Sequence, residues 1–340
     1  MNSRIKTFLK LAFVVVFLYF LAQKGFISLE KTKQALGHWE YIGPSLGVYA
    51  VSTLLGILRW QILLRAHGIE LSFWRTSQLN LIGQFFNVAL PGAVSGDFVK
   101  AFYIGRESAG KRADAFGSIL FDRVTGLSAL VVLCAIAMGV GYSDYRGSEL
   151  FHVIGAFMGL AAATVVGFFT YLFLVREHHD PFLRFLKAIE SRFAKASSVK
   201  RVYLGLRHYH NHRAAVLATL AISLLIHSII GWACLNFAHA LGDQHLPLVA
   251  LYIVVPLGLL VTAVPVAPGG IGTGHAAFGL FFQLIGSKSG ADVFSLVALT
   301  NFLIGAIGGI IYLIFKSKVP GISEIPASAQ DSLGPVADEA

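Results

Sequence analysis

The chain divides into apolar runs of about 16 to 28 residues. Each is long enough, as a helix, to cross the ~30 Å hydrocarbon core of a bilayer. In lipid every backbone N–H and C=O must be paired within the chain, so only helices and closed barrels can span. The alternating ten-residue strands of a barrel are not seen, and the runs therefore predict an all-α polytopic membrane protein. Composition agrees. Charged residues are 13% of the 340, about half the ~25% of a soluble domain, and the mean hydropathy is +0.70. An ordinary soluble enzyme and a disordered chain are both excluded. The 27 Lys and Arg against 18 Asp and Glu fit cytoplasmic loops and anionic lipid, and no nucleic-acid partner is expected. Cys134 and Cys234 lie inside apolar runs and read as small packing residues. There is no Walker loop, dinucleotide fingerprint or Ser-His-Asp elbow, so no cofactor, metal or catalytic residue is expected.

Lys and Arg in short loops set the orientation. Arg4, Lys6 and Lys10 precede a first helix at about 8–22, read as retained and not as a cleaved signal. A second helix, about 42–64, ends at Arg65, with Arg75 beyond it. Further spans are expected at about 115–140, 151–175, 214–241 and 293–315, the last ending at Lys316 and Lys318. The stretch 176–213 carries nine basic against three acidic residues, the strongest cytoplasmic signal in the chain. Both termini are then cytoplasmic, with a membrane domain over 1–318 and a disordered tail over 319–340. Two apolar stretches are interrupted by Pro and Gly: Leu79 to Gly96, broken at Pro91-Gly92, and Leu248 to Gly286, broken around Pro268-Gly269-Gly270. Basic residues flank the first on both sides, which favours a re-entrant hairpin. For the second, a hairpin and two short helices give the same parity. The expected architecture is about six spanning helices plus two re-entrant hairpins.

The breaks also compare with each other. Leu90 to Gly96 resembles Ala267 to Thr273, and Ala113-Asp114-Ala115-Phe116 resembles Ala291-Asp292-Val293-Phe294, at offsets of 177 and 178. A long apolar helix follows each. With opposite orientation the copies form an inverted repeat, the arrangement of many transporters whose broken helices meet near the midplane. Chance is the competing reading, because Pro-Gly pairs and Ala or Phe are common in apolar sequence.

Charges within spans are costly and mark sites. Arg59 lies six residues before Arg65. Asp122 and Arg123 lie well inside the third span, and Asp97 and Lys100 follow the first break. Guanidinium forks suit phosphate, and N–H groups freed at a break suit anions. The five residues together describe a pocket for an anionic head group. The competing reading is buried ion pairing that fixes helix register, with Arg59 snorkelling to the interface. Asp122 and Arg123 point about 100° apart on a helix, so two different partners are expected. Asn87 is placed to satisfy backbone freed at the first break. Asn301, His227, Asn236 and His239 read as interhelical hydrogen-bonding groups. His275 opens the segment after the second break, where a neutral imidazole is favoured. In the basic stretch, Asp180-Pro181 forms an N-cap and N1 pair. Phe182, Phe185, Leu186, Ile189 and Phe193 then recur opposite Arg184, Lys187, Arg192 and Lys195, the pattern of an interfacial amphipathic helix. His208, His210 and His212 read as part of a solvated basic linker.

Several of these pieces resemble the flippase-like family named for the lysylphosphatidylglycerol synthetase/flippase transmembrane region. They are Leu58-Arg59-Trp60, Phe86 to Gly92 continuing to Gly96-Asp97 and Lys100, Asp122-Arg123 with Gly126-Leu127, and Ala267 to Gly272. The resemblance covers about 10–316 and implies transfer of lipids or lipid-linked precursors between leaflets. It implies a head-group site around Arg59, Asn87, Pro91, Gly92, Asp97, Lys100, Asp122, Arg123, Pro268, Gly269, Gly270 and His275. Relatives usually carry Arg at the Lys100 position and Glu at the His275 position. The soluble aminoacyl-transferase domain of larger relatives has no counterpart, so the synthase half of the name is not carried over. The expected function is an inner-membrane lipid flippase with anionic membrane lipids as partners. A non-catalytic scaffold for a lipid- or glycan-synthesis enzyme, or a membrane-embedded lipid-modifying enzyme, stand as alternatives.

Overall fold

The computed structural model of the protein describes residues 29–89, 95–108, 111–147, 149–176, 179–190, 196–264 and 268–316. The expected first helix, the Pro91-Gly92 pair and the 319–340 tail lie outside them. Among the described residues five helices are long and apolar enough to cross a membrane. With the apolar composition, they make the chain an all-α polytopic membrane protein. A short α1 (Leu29–Leu36) leads into α2 (Trp39–Ala66). The first broken element is α3 (Phe73–Ala89) and α4 (Ser95–Glu107), followed by α5 (Arg112–Val140) and α6 (Glu149–Leu174). Two shorter helices, α7 (Pro181–Glu190) and α8 (Ala196–His208), fill the basic stretch. Then come α9 (Arg213–Ala240), α10 (Leu248–Thr262), a 3₁₀ turn at Pro268–Gly270, α11 (Thr273–Gln283) and α12 (Gly290–Lys316).

Two sets of four helices share one order. The units α2–α3–α4–α5 and α9–α10–α11–α12 have lengths of 28, 17, 13 and 29 against 28, 15, 11 and 27 residues. The repeat therefore reaches one helix further toward the N-terminus than the broken segments indicate. The ends of its leading helices agree in detail. Gly68 and Gly242 take φ of +64° and +87°, a left-handed conformation open to glycine without Cβ strain. Beyond each, Ile69 and Asp243 donate their N–H back to the Leu64 and Ala238 carbonyls at 3.0 Å, closing each helix as a Schellman motif.

The equivalent helices α2 and α9 run antiparallel. Ser45 lies against Ala233 near one end and Arg59 meets Ser223 further along, so the two units are inverted. Their packing is reciprocal: α3 rests on α12 and α10 rests on α5. On one side Gly308 admits the α3 backbone so closely that a Cβ there would lie 1.9 Å from the Leu81 carbonyl oxygen. On the other, the Cys134 thiol reaches the Ile253 carbonyl at 3.6 Å.

Each broken element folds back on itself. In the first, Gly96 touches the Gly83 backbone, where a Cβ would sit 1.8 Å from the carbonyl oxygen. Arg75 and Glu107 pair at the open end. In the second, Gly258 lies under the Phe278 ring. The first hairpin is longer than the sequence boundaries indicate, because its return limb continues as a helix through Lys100 to Glu107.

The basic stretch is folded against the bundle, a correction to the linker reading. Gly205 of α8 packs backbone to backbone on Gly117 of α5, and His208 and His210 bond the Ala66 and Leu172 carbonyls at 2.9 and 2.8 Å. In α7 the inward residues are Leu183 and Leu186, while Phe182 and Phe185 are 45% and 58% exposed. The expected single apolar face is thus divided between the protein and the outside; Phe193 lies outside the described residues. Asp180 pins this region. It caps α7 through the Leu183 N–H at 2.8 Å and accepts from the Tyr171 and Tyr203 hydroxyls at 2.6 Å each. It also pairs with Arg207 at 3.2 Å. Burial raises its pKa, but these bonds and the Arg207 charge outweigh it and hold the carboxyl below its usual value. A depressed folded-state pKa contributes stability above the unfolded value of ~3.9 that disappears as pH falls through the folded value. We expect Asp180→Asn to lower thermal stability at pH 7 by about 1–3 kcal/mol, with the gap to wild type narrowing below about pH 4. Thermal unfolding in detergent across that range checks it.

Candidate functional site

The site starts from three local facts. On α2, Arg59 precedes the buried Trp60 and Gln61, and it is the only charged residue between Glu40 and Arg65. On α5, Asp122 and Arg123 are adjacent and diverge. On α4, Asp97 stands in the first turn, where the helix dipole favours a carboxylate. Arg59 grips Asp122 with two parallel bonds, Nε to Oδ1 at 2.7 Å and Nη2 to Oδ2 at 2.9 Å, and its Nη1 donates to Ser223 Oγ at 2.9 Å. One guanidinium therefore ties α2, α5 and α9 together, and it does not snorkel. Arg123 takes a different carboxylate, Asp97, which also accepts Lys100 at 2.9 Å. The Lys100 ammonium lies 4.8 Å from the Trp60 ring centroid. The expectation of two different partners for Asp122 and Arg123 matches this arrangement.

All five charged residues line one cavity of about 480 Å³ between α2, α3, α4, α5, α9 and α12, with Ala263 at the end of α10. Three cations and two carboxylates leave it a single positive charge. Access differs among them. The Arg123 side chain is 32% exposed, against 13% for Arg59, 13% for Asp122, 10% for Lys100 and 5% for Asp97. Arg123 is thus the cation most open to an incoming group.

Asn87 also lines the cavity, and its Oδ1 accepts the Gly96 N–H at 2.8 Å. It spans the break and supplies the backbone partner that its position suggests. Asn80 and Gln84 join it on the wall. Sequence reading passed over these two, although positions 80, 84 and 87 follow the i, i+4, i+7 spacing of one helix face. Asn301 and His227, taken as interhelical groups, line the same wall. His227 Nε2 faces the Gly126 carbonyl at 3.1 Å. A carbonyl only accepts, so Nε2 carries the proton.

The second broken element reaches the cavity through Ala263, at the end of α10, and its turn Pro268–Gly270 packs on α3. Among the described residues that line the cavity, Gly269, Gly270 and His275 do not appear. His275 Nδ1 accepts the Gly272 N–H at 3.3 Å, and its Nε2 then donates to Ser295 Oγ at 3.1 Å, so the ring is held as the neutral tautomer. The repeat explains the position. Ser95 and Thr273, and Arg112 and Gly290, start equivalent helices at an offset of 178. That offset carries Asp97 to His275 and Arg123 to Asn301. The ion pair of the first unit is replaced by neutral side chains in the second.

The fold and the cavity together define a polytopic helical membrane protein built on inverted repeats around a charged chamber. The chain belongs to the lysylphosphatidylglycerol synthase transmembrane-region family, whose sequence profile matches residues 7–317. It is also similar to a UPF0104 membrane protein of Pyrococcus horikoshii, 24% identical over 295 residues that cover 81% of this chain and 87% of the relative. No solved structure matches it.

Proposed function

We propose that this protein moves an anionic amphiphile between the leaflets of the inner membrane, binding its phosphate in the charged chamber. The observation that carries this reading is the shared carboxylate. Asp97 is held by both Lys100 and Arg123, so a phosphate can replace it on the Arg123 fork while Lys100 still neutralises it. No buried charge is stranded by the exchange, which would otherwise cost several kcal/mol. One phosphate also cancels the chamber's single positive charge. Arg59 keeps its own carboxylate and acts by fixing the wall.

The two broken elements supply a means of movement. At 1.5 Å per residue their limbs are roughly 16 to 26 Å long, shorter than the ~30 Å hydrocarbon core. They fit as re-entrant hairpins inserted from opposite sides, with both termini cytoplasmic. Inverted units of this kind expose one site to each leaflet in turn by rocking against each other. The chain has no ATP motif, so a gradient or simple facilitation drives the exchange.

The test is reconstitution of the full chain into liposomes with a labelled anionic phospholipid or polyprenyl phosphate. We expect leaflet exchange at least about tenfold above protein-free vesicles, a barrier reduction of ~1.4 kcal/mol or more. No exchange with any of these lipids contradicts the proposal and favours a scaffold; a chemically altered lipid contradicts it in favour of an enzyme.

A further inference from the structure

The carboxylates of the chamber are already occupied. Asp122 is taken by the Arg59 fork, and Asp97 by Lys100 and Arg123. An added ammonium would bring a further positive charge into a chamber whose carboxylates, Asp122 on Arg59 and Asp97 on Lys100, keep cation partners even when a phosphate takes Arg123.

The rest of the polar wall is uncharged, and half of its side chains are amides. Asn80, Gln84, Asn87 and Asn301 all line the cavity, together with Ser52 and Thr53. Asn87 uses its Oδ1 on Gly96, which leaves its NH₂ group facing other partners. Gln84 Oε1 and His227 Nδ1 are buried with no hydrogen-bond partner among the described residues. Because His227 Nε2 carries the ring proton, Nδ1 is an acceptor. Unfilled acceptors in a protein wall are costly, and carboxamides both donate and accept. This is a surface suited to hydroxyl groups, which do the same.

We infer that the chamber is selective for a phosphate head group carrying hydroxyls, a glycerol phosphate or a sugar phosphate, and that it disfavours one carrying an added amine. The inference rests on the transport reading above and narrows its substrate class. It also separates this chain from the aminoacylated lipid in the name of its family.

Leaflet exchange in proteoliposomes tests it with lipids matched in charge. Phosphatidylglycerol and phosphatidylmethanol each carry one negative charge, and only the first has head-group hydroxyls. We expect phosphatidylglycerol, or a polyprenyl-phosphate hexose in a parallel arm, to exchange at least about tenfold faster than phosphatidylmethanol. A site that bonds a hydroxyl discriminates strongly against an analogue lacking it. Lysyl-phosphatidylglycerol should be slower than phosphatidylglycerol by a similar factor. The faster of the glycerol and hexose arms identifies which source of the chemistry is used. Asn80→Leu combined with Asn301→Leu should cut the phosphatidylglycerol to phosphatidylmethanol ratio at least fivefold, a readout in which any general loss of folded protein cancels. Equal rates for the two matched lipids, or a fastest rate for the lysyl lipid, overturn the inference and leave transport standing. Absence of exchange for every lipid overturns both.

Discussion

Asp122→Ala is expected to destabilise the protein by about 3–5 kcal/mol, the cost of leaving a buried cation without its partner. The carboxylate receives two of the three side-chain bonds that Arg59 makes, and both side chains are 13% exposed. With Asp122 gone, the guanidinium keeps only Ser223 across to α9. The α2–α5 link is then lost at the level of the chamber. Removing both charges in Arg59→Met with Asp122→Leu should recover most of the loss, because the penalty belongs to the stranded charge. Thermal unfolding of the two variants in the same detergent checks this. A double variant as unstable as the single one would mean that the pair contributes more than mutual neutralisation.

Arg123→Ala carries the other large effect, on function. Its side chain is the most open of the chamber's cations, and its removal leaves Asp97 still paired with Lys100 at 2.9 Å. The stability loss should therefore be much smaller than for Asp122→Ala. Leaflet exchange of an anionic lipid should fall by about 10²-fold, equivalent to some 3 kcal/mol for a charge-assisted bidentate contact with phosphate. Arg123→Lys should recover only part of this, since a lysine keeps the charge and lacks the fork. Exchange rates of the three proteins, normalised to folded protein in the vesicles, check it. The contrast between the neighbours is the informative part: adjacent positions on one helix, one failing mainly in stability and the other mainly in transport.

The long helices were legible because hydropathy over 20 residues reports directly on burial in lipid. The expected span at about 214–241 falls on Arg213–Ala240, and that at about 115–140 on Arg112–Val140. The divergence of Asp122 and Arg123 was legible from helix geometry alone. Who pairs with whom was not. Arg59 and Asp122 are separated by 63 positions and Asp97 and Arg123 by 26, and such matches are fixed only when the bundle closes. The site's neutral half was missed for a different reason. Asn80 and Gln84 lie within the expected 79–96 stretch, but neutral amides in an apolar run carry no charge to mark them, so their shared face with Asn87 went unseen. The α7 helix shows a third limit. Periodicity finds an apolar arc but does not divide it between a protein neighbour and the lipid side, and Leu183 and Phe185 ended on different sides. The inverted units were visible at the breaks and at the start of the long helix after each, but not in the helices that lead them. Their leading helices, α2 and α9, share length and closure but little sequence.

On binding, a phosphate is expected to displace Asp97 from Arg123 inside the chamber. An experimental structure of the protein in lipid nanodiscs containing an anionic hydroxylated phospholipid measures this directly. Phosphorus density is expected within about 4 Å of the Arg123 guanidinium, with Asp97 turned wholly to Lys100 and the acyl chains leaving between the helices. A chamber holding only solvent at saturating lipid, with the Asp97–Arg123 pair intact, would contradict it.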